Sequence, residues 1–213
     1  MNYEYVSDNI IICKNFLPDT MLQKIKIDLI NNRVNFGISS WTLNDVNLFN
    51  SKCGGLDYWI TEDEIRDGKA PTNNESILEL NEWFYHQGFT TFVNNYGRSN
   101  VFKLLEQKKK THKIHVISYN NGGYYNWHRD SEFFTFNLIL NESNELYGGD
   151  MLFMDEGRII EIPNQNNIMV VFPTYIHHAI TPIKSKSGKD VPFPQQRFSI
   201  QYWTDLKNEI ISF

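Results

Sequence analysis

His128 and Asp130 stand one residue apart at the end of the stretch YNNGGYYNWHRD, residues 119–130. The Gly122-Gly123 pair marks a turn, since glycine reaches backbone angles that other residues avoid. Beyond it, Tyr124, Tyr125 and Trp127 favour an extended chain. Residues two apart on a strand face the same way, with Cα atoms roughly 6.5 to 7 Å apart, so an imidazole and a carboxylate leaning inward can meet on one metal ion. Alone, such a pair is more often a capped turn or a surface pair. A metal needs a third ligand, and NIMVVFPTYIHHAITPI (167–183) offers two adjacent histidines, His177 and His178. Neighbours on a strand face opposite ways, so at most one of them can join the first two.

Two neutral imidazoles and one carboxylate from different strands make the facial ligand set of non-haem Fe(II) oxygenases, which leaves three metal positions open for reactants. Strands must carry these residues, and from residue 112 the texture suits them. HKIHVISY, FFTFNLILN, DMLFMD, RIIEIP, NIMVVFP, HHAITPI and RFSIQYW are short, rich in β-branched and aromatic residues, and divided by Gly/Asn turns. Upstream, PDTMLQKIKIDLINN (18–32) opens on Pro18 and Asp19, and repeats apolar residues at helical spacing through Met21, Leu22, Ile25, Leu29 and Ile30. NESILELNEWFYHQ (74–87) does the same through Ile77, Leu78, Leu80, Trp83 and Phe84. Residues 37–61 read as a long loop and Lys108 to Lys110 as a solvated turn. The expected fold is α+β: a double-stranded β-helix, or jelly roll, with N-terminal helices packed against it.

The 213 residues suit a single domain, large enough to bury a core without disulfides. Cys13 and Cys53 share no metal-type spacing and read as reduced thiols, so a cytoplasmic location is expected. The polar, acidic N-terminus is not a signal peptide, and no apolar run approaches the roughly 20 residues that span a bilayer. A net charge of −5 argues against nucleic acid as partner. A small molecule or a peptide remains the expected substrate, and the oligomeric state is left open.

Over residues 112–205 the chain resembles the Fe(II)/2-oxoglutarate-dependent dioxygenases, in their prolyl 4-hydroxylase-like branch. Tyr119, Gly122, Tyr125, His128 and Asp130 fit the pattern Tyr-x-x-Gly-x-x-Tyr-x-x-His-x-Asp. Gly148, Gly149 and Asp150 follow as a Gly-Gly-acidic strand start. Phe172, Pro173, Thr174, His178, Ile180 and Pro182 fit the next element, and that register selects His178 over His177. Arg197, Ser199 and Trp203 fit the last. Resemblance thus divides the chain into a helical region (1–111), a jelly-roll catalytic core (112–205) and a tail (206–213), within one structural domain.

The resemblance implies Fe(II) held by His128, Asp130 and His178, with 2-oxoglutarate and dioxygen as cosubstrates and ascorbate as a candidate reductant. Arg197 would anchor the far carboxylate of 2-oxoglutarate, helped by Ser199 and Tyr119. Two departures qualify the match. Arg197 lies nineteen residues after His178, where many relatives have about ten, leaving Lys189 as a rival anchor in an enlarged loop. Ile139 stands where some relatives place a cosubstrate-binding tyrosine. The implied activity is hydroxylation of a peptidyl or free amino acid, proline first. Tyr124, Trp127, Arg129, Trp41 and Trp59 are the candidate substrate contacts. The alternatives are a nucleic-acid dealkylase of the same superfamily and a non-catalytic metal-binding jelly-roll module. The former is disfavoured by the acidic charge and by the lack of a second arginine six residues after Arg197.

Overall fold

The computed structural model describes residues 2–38, 56–69, 73–83, 100–103, 108–109 and 114–206. Fifteen strands lie among them. The first five are β1 (Asn2–Ser7), β2 (Ile10–Lys14), β3 (Gly37–Ile38), β4 (Leu56–Ile60) and β5 (Lys108–Lys109). Next come β6 (Ile114–Tyr119), β7 (Tyr125–His128), β8 (Phe134–Leu140), β9 (Leu146–Gly148) and β10 (Met151–Asp155). The last are β11 (Arg158–Ile162), β12 (Ile168–Pro173), β13 (His177–Ile180), β14 (Ile183–Ser185) and β15 (Arg197–Leu206). The helices among the described residues are α1 (Asp19–Asn31), α2 (Glu62–Arg66), α3 (Glu75–Trp83) and α4 (Asn100–Lys103). None of them is long and apolar enough to cross a membrane.

From β6 onward the chain shuttles between two antiparallel sheets. β6, β8, β12 and β15 lie in a large sheet of order β1-β2-β12-β8-β15-β6-β4-β3, and β7, β10, β11 and β13 form a small one of order β11-β10-β13-β7. This alternation makes the expected double-stranded β-helix. The large sheet is covered on both faces, so β6, β8 and β12 are buried along their whole length. Because side chains alternate, each strand feeds two cores. Ile114, Val116, Phe136, Leu138, Ile200 and Tyr202 pack outward under Leu22, Ile25 and Leu29 of α1 and Ile77 and Leu80 of α3. Ile117, Tyr119, Ile139, Val170 and Phe172 face the barrel interior, against Met151, Phe153 and Ile180 of the small sheet.

The buried spacing of Leu22, Ile25 and Leu29 sets the inner stripe of α1, whereas Ile30 is exposed. Asp28, on the same buried side, accepts hydrogen bonds from the backbone N–H groups of Ser76 and Ile77 at 2.8 and 3.1 Å. It thereby occupies amides of the first turn of α3, which that helix cannot satisfy itself.

Several expectations change. The N-terminal region is not simply helical: β2 pairs with β12, β4 pairs with β6, and both extend the large sheet. Ile10 to Ile12 are a continuous buried run without alternation, which hides a strand from period-based reading. Of the expected loop 37–61, residues 39–55 lie outside the described residues, and Leu56–Ile60 is a strand. Lys108 and Lys109 form β5 beside Leu206 and Asp205 rather than a solvated turn. HHAITPI splits at Thr181-Pro182 into β13 and β14, which belong to different sheets. Trp41, Cys53, Phe84 and the rest of the second predicted helix lie outside the described residues.

Two local devices hold the barrel end near Arg197. Asn120 donates to the Val191 carbonyl at 3.0 Å and accepts from its N–H at 2.8 Å, while Asn121 donates to Gly188 and accepts from Ser185. The turn after β6 therefore grips the long segment between β14 and β15. Gly148 has φ +70°, and a Cβ there would sit 2.4 Å from the Pro182 carbonyl oxygen, so only glycine lets β9 approach β14.

Candidate active site

β7 and β13 are neighbours in the small sheet, and their register sets His128 directly opposite His178. β7 ends at His128, so Asp130 lies just past the strand rather than on it. The chain nonetheless returns its carboxylate to the histidines. Asp130 Oδ1 is 3.6 Å from His128 Nε2, and Oδ2 is 3.7 Å from His178 Nε2. One ligand atom from each of the three residues falls within 4.8 Å of the others. His178 is 1% exposed among Phe153 and Phe172, whereas His177 is exposed on the opposite side of the strand.

The hydrogen bonds of the two imidazoles prepare them as ligands. His128 Nδ1 lies 2.8 Å from the Asn126 carbonyl oxygen, and His178 Nδ1 lies 3.1 Å from that of Ile176. A carbonyl only accepts, so each Nδ1 carries a proton and each Nε2 is turned toward Asp130. Burial pushes the His178 pKa down to about 4, with Asp130 opposing and His128 adding to the shift. That ring is neutral near pH 7. Burial acts to raise the Asp130 pKa, but His178, His128 and the Thr135 hydroxyl outweigh it and hold the carboxyl below its ordinary range. His178 Nε2 is buried without a hydrogen-bond partner among the described residues. An uncompensated buried lone pair beside an anion and a second lone pair is the environment a divalent cation satisfies.

The triad opens on a cavity of about 240 Å³. Ile117, Tyr119 and Met151 form its apolar wall, and His115, Asn137 and Gln201 form a polar one. The polar wall is largely paired: His115 Nδ1 is 3.3 Å from Gln201 Oε1, and Ser199 Oγ donates to Asn137 Oδ1 at 2.7 Å. Alternation places Gln201 on the Arg197 face of its strand, a feature readable from sequence. His115 and Asn137 carried no such signal, because their relation to the site depends on which strands lie side by side.

Arg197 begins β15, is 0% exposed, and sets its guanidinium 5.0 Å from the ring centre of Tyr119. Its Nε, Nη1 and Nη2 atoms are buried without a hydrogen-bond partner among the described residues. Burial lowers its pKa to about 10, with Tyr119 and Asp150 opposing, so the cation persists at neutral pH. A buried guanidinium with its donors unspent suits a bidentate carboxylate. Lys189 is exposed, in a turn held by Ser185 and Ser187 contacts to its own backbone. Among the candidate substrate contacts, Arg129 lines the cavity with Tyr125, Ser131 and Glu132. Tyr124 and Trp127 are half-buried outside that lining, and Trp59 lies in β4.

Comparison with known proteins agrees with this chemistry. Residues 114–205 match the family model described as the 2OG-Fe(II) oxygenase superfamily. No curated protein sequence is significantly similar. Among solved structures, the chain is similar to a prolyl hydroxylase from Trichoplax adhaerens in complex with a hypoxia inducible factor peptide fragment. That match has a TM-score of 0.67 and 18% identity, over 93% of this chain and 84% of that one. A Pseudomonas putida prolyl-4-hydroxylase gives a TM-score of 0.60 at 16% identity, covering 93% of each chain. The viral collagen prolyl hydroxylase of Paramecium Bursaria Chlorella virus-1, solved with 2OG, gives 0.52 at 15%, covering 93% and 97%. At these identities the solved structures speak for the fold, and the family model speaks for the chemistry. The jelly-roll core, residues 114–205, thus carries the match to the 2OG-Fe(II) oxygenase superfamily together with a His-Asp-His cluster, and both support a 2-oxoglutarate-dependent Fe(II) dioxygenase.

Proposed function

We propose that His128, Asp130 and His178 hold the Fe(II), that Arg197 anchors the far carboxylate of 2-oxoglutarate, and that the enzyme hydroxylates a peptidyl or free amino acid, proline first. The observation that carries this reading is the Arg197 guanidinium, fully buried with its donors unspent, in the same barrel as a preformed His-Asp-His cluster. When bound, iron and 2-oxoglutarate supply the oxidising chemistry, in which dioxygen is consumed and succinate, carbon dioxide and a hydroxylated product are released. The chain's own residues bind and orient. The two Nδ1–H bonds fix both imidazole rings, and Asp130 supplies the anion that balances the metal. Phe153 and Phe172 keep water from His178. Tyr119 backs the Arg197 cation, and the Ser199 hydroxyl, already bonded to Asn137, can still accept but has spent its proton.

A proline-type substrate is favoured by the likeness of fold to prolyl hydroxylases, one of them with a peptide in its complex. The nucleic-acid reading is weakened by the chain's net negative charge. Anaerobic addition of Fe(II) and 2-oxoglutarate tests the site: a visible charge-transfer absorption is expected, and its absence would leave a binding module. A mass-spectrometric screen of prolyl peptides, free amino acids and alkylated oligonucleotides then tests the substrate. The expected result is a peptide or amino acid gaining one oxygen in step with succinate. Turnover of alkylated oligonucleotides alone would sink the substrate assignment.

A further inference from the structure

Asp130 is held by more than its neighbouring histidines. Its Oδ2 accepts the Thr135 hydroxyl of β8 and, at 3.3 Å, the Trp203 indole N–H of β15. Thr135 and Trp203 are direct partners in the β8–β15 register, so the two donors stand side by side on the inner face of the large sheet. Thr135 is 0% exposed and Trp203 6%, and the Trp203 ring packs 5.6 Å from that of His115. A carboxylate oxygen has two lone-pair sites. Two donors from a packed wall fill both sites of Oδ2 and leave Oδ1, which accepts neither bond.

We propose that Thr135 and Trp203 are positioning residues that hold Asp130 as a one-oxygen ligand, with Oδ1 turned to the metal. The inference rests on the reading of His128, Asp130 and His178 as the iron ligands. It has a consequence for reactivity. Carboxylates bind metals through one or both oxygens, and a second Asp130 oxygen on the metal would occupy a position that the cosubstrates need. Two hydrogen bonds from the opposite sheet prevent that rotation. They also explain a polar threonine buried between Phe134 and Phe136.

The test is Fe(II) affinity of the full chain, measured anaerobically by competition with a chelator, in Thr135→Val, Thr135→Ser and Trp203→Phe. Thr135→Val keeps the shape and removes the hydroxyl, and should weaken Fe(II) binding about 10- to 100-fold, the usual effect of losing such a partner. Thr135→Ser restores the hydroxyl and should stay within about threefold of wild type. Trp203→Phe should fall between them, and the metal-free melting temperature of each should stay near that of wild type. Wild-type affinity in Thr135→Val overturns the proposal, as does a Thr135→Ser loss equal to that of valine. If Thr135→Val does not fold, Trp203→Phe decides, and unchanged affinity there overturns it. Wild-type protein that binds no Fe(II) removes the ligand assignment itself, and the proposal with it.

Discussion

The two faces of the large sheet are made from alternate residues of the same strands, yet they follow opposite rules. Outward from β8 and β15 point Phe134, Phe136, Leu138, Leu140, Phe198, Ile200 and Tyr202, all in the core beneath the helices. Inward point Thr135, Asn137, Ile139, Arg197, Ser199, Gln201 and Trp203, all equally buried. Each large outward side chain contributes roughly 1.5 to 3 kcal/mol by leaving water. The inward groups gain little that way, since a buried polar group costs free energy unless it is paired. Ser199 and Gln201 are paired within the wall. Arg197 has no hydrogen-bond partner among the described residues, which leaves its donors open to a ligand. One-residue alternation thus separates the work of holding the fold from the work of binding.

That separation can be broken most severely at Asp130. Asp130→Ala removes the only anionic member of the triad and should abolish succinate formation, while the metal-free protein still unfolds cooperatively near the wild-type temperature. Residual turnover at equal iron loading would count against the assignment. Next comes Arg197→Met, which should weaken 2-oxoglutarate binding about 10²- to 10³-fold, the effect of stranding a buried ion-pair partner at roughly 3 to 5 kcal/mol. Its folding stability should hold or rise, because an apolar side chain replaces a desolvated charge. Lys189→Ala, on the exposed loop, should change that affinity by less than about threefold. Anaerobic titration of both variants decides between the two cations, and the reverse pattern would make Lys189 the anchor.

The outward face should answer differently. Phe136→Ala should cost about 3 to 5 kcal/mol in denaturant unfolding, as large-to-small core changes do, with 2-oxoglutarate affinity of the folded protein unchanged. A large affinity loss there would show that the two faces are coupled. The smallest effect concerns pH. His178 is held at about 4 in the folded protein against 6.5 for an ordinary histidine. Between those values the unfolded chain binds a proton that the folded one does not. Metal-free protein should therefore lose stability as pH falls from 6.5 toward 4, by up to about 3 kcal/mol. Unfolding curves at pH 7 and pH 5 check this, and equal stabilities would overturn a depressed His178 pKa in the folded protein.

Much of the barrel is legible in the sequence, and the elements that are not share a cause. Whereas the short β9 lies in a stretch that reads as a turn, β6, β8, β10, β11, β12, β13 and β15 announce themselves through β-branched and aromatic runs between Gly/Asn turns. β2 and β4 do not: the first is a short unbroken apolar run, and the second sits beside a long polar stretch. Their identity as strands comes from the open edges of β12 and β6, which they complete. The same holds at the site. Spacing alone put His128 near Asp130 and forced a choice between His177 and His178, because those relations are local to one strand or turn.

Sequence by itself determined which residues could share a face, since the two-residue period of a strand is built into the backbone. It therefore put Arg197, Ser199, Gln201 and Trp203 together and separated His177 from His178. Only the tertiary structure decided which face met which. His128 lies opposite His178 through the β7–β13 register, and Thr135 lies beside Trp203 through that of β8 and β15. His115 reaches Gln201 across 86 residues of chain. Such pairings are set by how both sheets close around their cores, a sum over many side chains that no short stretch contains. The unspent donors of Arg197 follow from that closure, which removed the guanidinium from water and set no hydrogen-bond acceptor of the described residues against it.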